Sequence, residues 1–213
     1  LSCHLYKTQF SALHVLSDTI IMVLSMDRWA GKIAIVTGAS AGIGASIAEA
    51  LVEHGLIVST PLLENLHNPH FQVVGTARRS EQIEEHAKQL SGKKGKLCAF
   101  KADFTKEEDI LKVFEWTSKN LGPIHVLINN AGRSLNSTLV DGKTEEWKSV
   151  LDLNILGLCI ATREAVRIMR ENNINGHIFH INSVMGHKVF NSPNTNVYPA
   201  SKHAVTALTE TLR

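Results

Sequence analysis

Ile33-Ala34-Ile35-Val36 is an unbroken apolar run rich in β-branched residues, and it passes through Thr37-Gly38-Ala39-Ser40-Ala41-Gly42-Ile43-Gly44 into residues with Ile47, Ala48, Leu51 and Val52 at helical spacing. A strand buried on both faces of a parallel sheet reads this way, and the glycines mark its turn into a helix. The pattern recurs. Further strands are predicted at Val73 to Ala77, Leu97 to Ala102, Val126 to Asn129 and His177 to Ile181. Helices are predicted at Gly44 to His54, Ser80 to Leu90, Glu107 to Asn120 and Thr144 to Asn172, with a last one from about Tyr198. Alternation of this kind builds right-handed βαβ units, so the expected fold class is α/β with a doubly wound parallel sheet.

Composition bounds the function. The 213 residues carry 22 basic and 20 acidic side chains, a formal charge of +2, too little and too mixed to hold nucleic acid or anionic lipid by charge alone. Lys93, Lys94 and Lys96 are the densest basic group, and with Gly92 and Gly95 among them they read as a solvated turn. Cys3, Cys98 and Cys159 form no C-x-x-C, so neither a disulfide framework nor a thiolate metal site is indicated, and a reducing, cytoplasmic compartment is expected. No metal site is expected from the histidines either. His67 and His70 bracket Asn68-Pro69, while His177 and His180 lie in a β-like run where that spacing turns them to opposite faces.

Two segments sit outside this pattern. Residues 1–25 hold no apolar run longer than Ile20 to Leu24, far short of the roughly 20 residues that span a bilayer, and no transmembrane segment is expected there. They make a poor signal peptide, since Asp18 adjoins the apolar stretch, and Met26-Asp27-Arg28-Trp29 stands just before the first strand. We read 1–25 as an extension outside the fold and 26–213 as one domain. Within that domain, the connection after the first helix should take only a few residues, yet Val58 to Gln72 intervenes with two prolines. Without those fifteen residues, His54-Gly55-Leu56-Ile57 runs directly into Val73-Val74-Gly75. Val-Ser can be encoded by GTAAGT and Phe-Gln by TTTCAG, which resemble splice sites. The segment is therefore read as an insert from an unremoved intron, the alternative being a genuine surface loop.

The glycine turn has the spacing G-x-x-x-G-x-G. Glycines there let a backbone approach a pyrophosphate and offer free N–H groups at the positive end of a helix, which points to Gly38, Ser40, Gly42, Ile43 and Gly44 as a phosphate cradle of a Rossmann-like sheet. Such folds read the adenosine ribose about 20 residues later, at the tip of the second strand. Gly44 to Arg78 is 34 positions, and 19 once the insert is set aside. The tip reads Thr76-Ala77-Arg78-Arg79 without a carboxylate, so two guanidiniums stand where a 2′-phosphate would lie. NADP(H) is accordingly favoured over NAD(H).

Asn129-Asn130-Ala131-Gly132 follows the strand at Val126, and Tyr198-x-x-x-Lys202 opens the last helix, with Ser183 fifteen residues before Tyr198. With these motifs in this order, the chain resembles the short-chain dehydrogenase/reductase family from about Met26 onward, except across the insert. Within it, Met-Asp-Arg-Trp, Gly-Thr-Ala-Arg-Arg, Ser183 to His187 and Ala204 to Glu210 look like the group of NADP-dependent farnesol dehydrogenases and dehydrogenase/reductase member eleven.

The resemblance implies a proton-transfer site. Tyr198 and Lys202 are one helical turn apart and so adjacent on one face. One ammonium about 4 Å from a phenol is worth around 4 kcal/mol at an effective dielectric of about 20, enough to let a phenol exchange protons near neutrality. Tyr198 is then the general acid/base. Lys202 also holds the nicotinamide ribose, Ser183 hydrogen-bonds the substrate oxygen, and Asn154 positions a water feeding a relay through Lys202. Asp103 is implied at the adenine, while Asn129, Asn130, Ala131 and Gly132 line the cofactor or hold the central sheet. Trp116 and Trp147 are expected to serve packing.

Several further expectations rest on the same likeness. The substrate is a small-molecule alcohol/carbonyl pair, an isoprenoid alcohol such as farnesol or a steroid. A homodimer or homotetramer is implied, with the helix carrying Leu158, Thr162, Ala165 and Met169 and the last helix each pairing with their copies in a second subunit. Because the chain ends inside the helix that begins with Tyr198, the sheet is expected to be truncated at its C-terminus, and an inactive fragment is one alternative. The other is a non-catalytic dinucleotide-binding or scaffold protein.

Overall fold

The computed structural model describes residues 29, 31–55, 72–190 and 195–212. Five strands form one parallel sheet in the order β3-β2-β1-β4-β5, where β1 is Ile33–Thr37, β2 Gln72–Ala77, β3 Lys96–Lys101, β4 Val126–Asn129 and β5 His177–His180. The central strands β1, β2 and β4 are buried along their whole length, as their continuous apolar runs require, while β3 and β5 at the edges are partly exposed.

Helices α1 (Gly42–Glu53) and α2 (Ser80–Gln89) cover one face of the sheet, where Ala48, Val52 and Ile83 pack on Ala34, Val36 and Val73. On the other face α3 (Glu107–Asn120) brings Ile110, Val113 and Phe114 against Ile35, Val74 and Leu127. The chain order places strand numbers rising outward on both sides of β1, so connections leave β1 and β4 in opposite directions. A crevice opens at their carboxyl ends, the position where such sheets bind ligands.

The helical stretch read as continuous from Thr144 to Asn172 is interrupted. It comprises α4 (Thr144–Leu151), a π-helical segment Asp152–Gly157 and α5 (Leu158–Glu171). The widened turn passes over the chain after β3 so closely that a side chain at Gly157 would lie 2.2 Å from the Phe104 carbonyl oxygen. The last helix, α6 (Val197–Thr211), follows a 3-10 turn at Val184–Gly186.

The face of α5 expected to pair subunits is divided between the core and a surface groove. Leu158, Ala165 and Met169 are buried, the last two in the core beside α3, and the Thr162 hydroxyl accepts from Asn129 Nδ2 at 3.0 Å. Ala165 and Met169 are spent on the core, while Leu158 and Thr162 line a groove between α5 and the end of α6. Trp116 packs on Phe100 and the core, and Trp147 Nε1 donates to the Thr138 carbonyl. Residues 1–25, His67 and His70 lie outside the described residues, as does the insert except for Gln72, which begins β2 and pairs with Ile33 and Lys96. Among the described residues no helix is long and apolar enough to cross a membrane, and no group of three or more His, Cys, Asp or Glu is arranged to hold a metal.

Candidate active site

The turn from β1 into α1 is built by hydrogen bonds from its neighbours. Gly38 N and Ala39 N donate to the Thr76 carbonyl of β2, and from the other side Asn130 Nδ2 donates to the Thr37 and Gly38 carbonyls at 2.8 and 3.2 Å. The Thr37 hydroxyl accepts from Asn130 N and Ala131 N. This threonine and asparagine therefore lock the glycine turn to the loop after β4. Gly38 adopts φ +70°, and Gly44 is pressed so tightly against Asn130 and Gly38 that an added Cβ would sit 2.4 Å from each.

Above this turn lies a cleft of about 360 Å³. Of the residues expected at a cofactor, Gly38, Ser40, Ile43, Gly44, Arg78, Arg79, Asp103, Asn130, Ala131 and Gly132 line it. Gly42 does not, and faces open space at φ +57°. Asn129 is buried and tied to α5, so it holds the sheet. Arg78 and Arg79 are both exposed at the tip of β2. Asp103 Oδ1 accepts from Thr105 N and Thr105 Oγ1 at 3.0 and 2.8 Å. Burial pushes its carboxyl up, but those two hydrogen bonds and the charges of Arg78 and Arg133 outweigh it and hold the group below the usual carboxylate value.

The lining suits a dinucleotide. Helix α1 begins with no side-chain cap and no acidic residue in its first turn, which leaves its positive end open to an anion. The Thr76 hydroxyl, on a residue of the cleft wall, is buried with no partner among the described residues. When a nicotinamide dinucleotide is bound, Gly38, Ser40, Ile43, Gly44, Arg78, Arg79 and Asp103 would hold it.

Ser183, Tyr198 and Lys202 are not in the lining of this cleft but stand at the β5 side of the same sheet edge. Lys202 is buried to 7% exposure, and its Nζ donates to the Ile181 carbonyl at 2.7 Å while lying 6.0 Å from the centre of the Tyr198 ring. Burial pushes its ammonium below the ordinary lysine value. Ser183 caps the 3-10 turn by accepting from Met185 N.

Asn154 sits in the π-helical segment, 2% exposed. Its Oδ1 accepts from Arg133 N, and its Nδ2 donates to the Arg133 carbonyl and to Ser201 Oγ. The side chain is occupied as a clamp between the loop after β4 and α6. Ser201 is buried and donates to the Tyr198 carbonyl at 2.7 Å.

Sequence reasoning missed Thr76, Phe104, Arg133, Leu153 and Ser201. Two of them had a signal. Arg133 directly follows Asn-Asn-Ala-Gly, and Ser201 is one helical turn beyond Tyr198, a spacing that lets a hydroxyl back-bond to the helix.

Comparison with known proteins agrees with this geometry. The family model for short chain dehydrogenase matches residues 60–213. Farnesol dehydrogenase of Aedes aegypti is 46% identical over 190 residues, which cover 88% of this chain and 71% of that protein. Human dehydrogenase/reductase SDR family member 11 is 43% identical over 191 residues, with coverage of 88% and 68%. A metagenomic short-chain oxidoreductase solved with NADP superposes with a TM-score of 0.74 at 26% identity, over 86% of this chain and 76% of the other. A short chain dehydrogenase/reductase from Burkholderia phymatum, solved with NAD, gives 0.74 at 26% identity, and there the match spans 86% of this chain but 59% of that structure's.

Proposed function

This chain belongs to the short chain dehydrogenase family, and from that premise we propose that it is an NADP(H)-dependent oxidoreductase acting on an alcohol/carbonyl pair. The observation that carries the reading is the buried Lys202 ammonium beside Tyr198, at the same sheet edge as a glycine-floored cleft bearing two arginines.

A bound nicotinamide supplies or accepts the hydride. The protein supplies the proton and the alignment. In carbonyl reduction Tyr198 Oη gives its proton to the substrate oxygen, and in alcohol oxidation it takes the hydroxyl proton. Lys202, fixed by the Ile181 carbonyl, stabilises the negative charge left on the phenol. The Ser183 hydroxyl donates to the substrate oxygen as charge grows there. Arg78 and Arg79 favour the 2′-phosphate of NADP(H) over the bare ribose of NAD(H).

Exposed apolar side chains support an apolar substrate such as an isoprenoid alcohol or a steroid. Val184 follows Ser183 directly and is 64% exposed. Leu139 and Val140 lie on a loop held to the start of α6 by the Ser137–Thr195 bridge and by Leu139 N donating to Asn196 Oδ1 at 2.9 Å. A reducing cytoplasm belongs to the same reading, on the lack of any C-x-x-C in the sequence. A homodimer or homotetramer belongs to the same reading by family analogy.

The test is absorbance at 340 nm with NADPH and a panel of ketones, aldehydes and isoprenoid alcohols. Turnover that falls at least 10²-fold in Tyr198→Phe is expected for a general acid/base. Binding of NADPH with no turnover on any substrate would instead favour a dinucleotide-binding scaffold.

A further inference from the structure

We propose that Arg133, in the loop after β4, is a cofactor-binding residue that meets the diphosphate bridge of the dinucleotide beside the glycine turn, and so strengthens NADP(H) and NAD(H) alike. The inference rests on the function proposed above.

Arg133 is anchored at both ends. Its backbone N and carbonyl are held by Asn154 at 2.9 and 3.0 Å, and its Nη1 donates to Ser149 Oγ on α4. Between those anchors the residue lines the cleft beside Leu153. A guanidinium carries five N–H donors, and among the described residues one of them is used, on Ser149. A half-buried, preorganised guanidinium with donors to spare is suited to a multidentate anion.

Its place in the topology selects which anion. Arg78 and Arg79 stand at the tip of β2, and Arg133 follows β4; β1, whose turn opens α1, lies between them. The 2′-phosphate belongs at β2 and the diphosphate at the α1 terminus, next to β4. The amides of a helix start offset only about half a charge, whereas a diphosphate brings two, so a further cation in the lining completes the match. The charged side chains lining the cleft are three arginines and Asp103, an excess of two positive charges. Arg78 and Arg133, both in the lining, each help to hold the Asp103 carboxyl below the usual carboxylate value. Ser183 and Tyr198, where a substrate oxygen would lie, share no wall with Arg133.

Isothermal titration of NADPH and NADH into wild type, Arg133→Met, Arg133→Lys and Arg78→Met decides it. Arg133→Met should weaken both dinucleotides by the same factor, about tenfold or more, with Arg133→Lys recovering part of the loss. Arg78→Met should weaken NADPH alone. Unchanged affinities in Arg133→Met, or a loss confined to NADPH, overturns the assignment while leaving the proposed function standing. Wild type that binds neither dinucleotide overturns both. Should Arg133→Met lack the cooperative melting of wild type, Arg133→Lys answers the same question, because a point charge in place of a planar fork must weaken both ligands equally.

Discussion

Asn154 and Ser201, 47 residues apart, are joined by a 2.9 Å hydrogen bond from Nδ2 to Oγ. The same amide holds both backbone groups of Arg133, and Ser201 passes the constraint on to the Tyr198 carbonyl. One buried side chain thus ties the loop lining the cleft to the helix that carries Tyr198 and Lys202. The π-helical segment brings it there by widening the turn at Asp152–Gly157.

Asn154→Ala should therefore damage stability and chemistry together. It strips partners from Arg133 and Ser201, each unsatisfied buried polar group costing about 1–3 kcal/mol, so a loss of about 2–4 kcal/mol is expected in urea unfolding. Asn154→Asp should also be impaired, since a carboxylate accepts from Arg133 N but cannot donate to the Arg133 carbonyl or receive Ser201 as a partner without its hydroxyl turning from Tyr198. Wild-type unfolding curves for both variants would contradict the clamp.

Lys202 lends itself to a pH experiment. Burial lowers its pKa from the ordinary 10.5, so between the folded value and 10.5 the unfolded chain binds more protons and stability rises with pH. Lys202→Met should abolish that slope in denaturation measured across alkaline pH. It also removes the positive charge beside the phenol, so the pH–rate limb of alcohol oxidation should move to higher pH. An unmoved limb would mean that the ammonium does not assist the proton transfer.

The sheet was legible because its strands announce themselves by continuous burial. Ile33 to Val36 and Val126 to Asn129 need no polar face in a parallel sheet, and their apolar runs coincide with the observed strands to within a residue. The glycine turn and Arg78 were legible because spacing along the chain translates directly into position at a strand tip. Arg133 and Ser201 carried only a positional hint, one beside Asn-Asn-Ala-Gly and the other one turn beyond Tyr198; the bonds to Asn154 that give them their roles span 21 and 47 residues, and no local pattern encodes those. The π-helical turn was hidden for a similar reason. It depends on how closely the helix passes the Phe104 carbonyl, a tertiary demand that overrides a helical periodicity on either side.

Arg78→Asp should turn cofactor preference toward NAD(H). The exposed guanidinium at the end of β2 is replaced by a group that repels a 2′-phosphate and accepts from a ribose hydroxyl. The ratio of kcat/KM for NADPH over NADH should fall by about 10²-fold or more, given that an attractive charge is lost and a repulsive one gained. A ratio unchanged from wild type would place the 2′-phosphate elsewhere.

His180 predicts an acid limb. Thr209 Oγ1 donates to the Val205 carbonyl, so it can only accept from His180 Nδ1 at 3.0 Å; Thr162 Oγ1 accepts from Asn129 and is left to donate to Nε2 at 3.3 Å. This arrangement satisfies a neutral ring, and a second proton on Nε2 would meet a hydroxyl already oriented to donate. Arg163, Arg167 and Arg170 share its groove with Glu171, which adds no net attraction for a cation. Burial lowers the ring's pKa below 6.5, so its contribution is full above 6.5 and is lost as pH falls through the folded value. His180→Gln should flatten part of the acid-side decline in stability, with His125, lowered by burial too, keeping the remainder.

Two glycines of the same turn should respond differently to the same substitution. At Gly44 a methyl group would lie 2.4 Å from Asn130 Nδ2 and equally close to the Gly38 carbonyl, which is backbone and cannot move aside without opening the turn. Gly44→Ala should cost about 3 kcal/mol or more in thermal unfolding and abolish dinucleotide binding, since relief of the clash breaks the bonds that hold Asn130 to β1. At Gly42 a methyl group meets nothing within 4 Å, and the penalty is the φ of +57° alone. Gly42→Ala should therefore cost only about 1–2 kcal/mol and keep binding within about tenfold of wild type. The order of the two effects is the check. If Gly42→Ala proved the more damaging, the turn would owe its shape to backbone conformation and not to the close approach of Asn130.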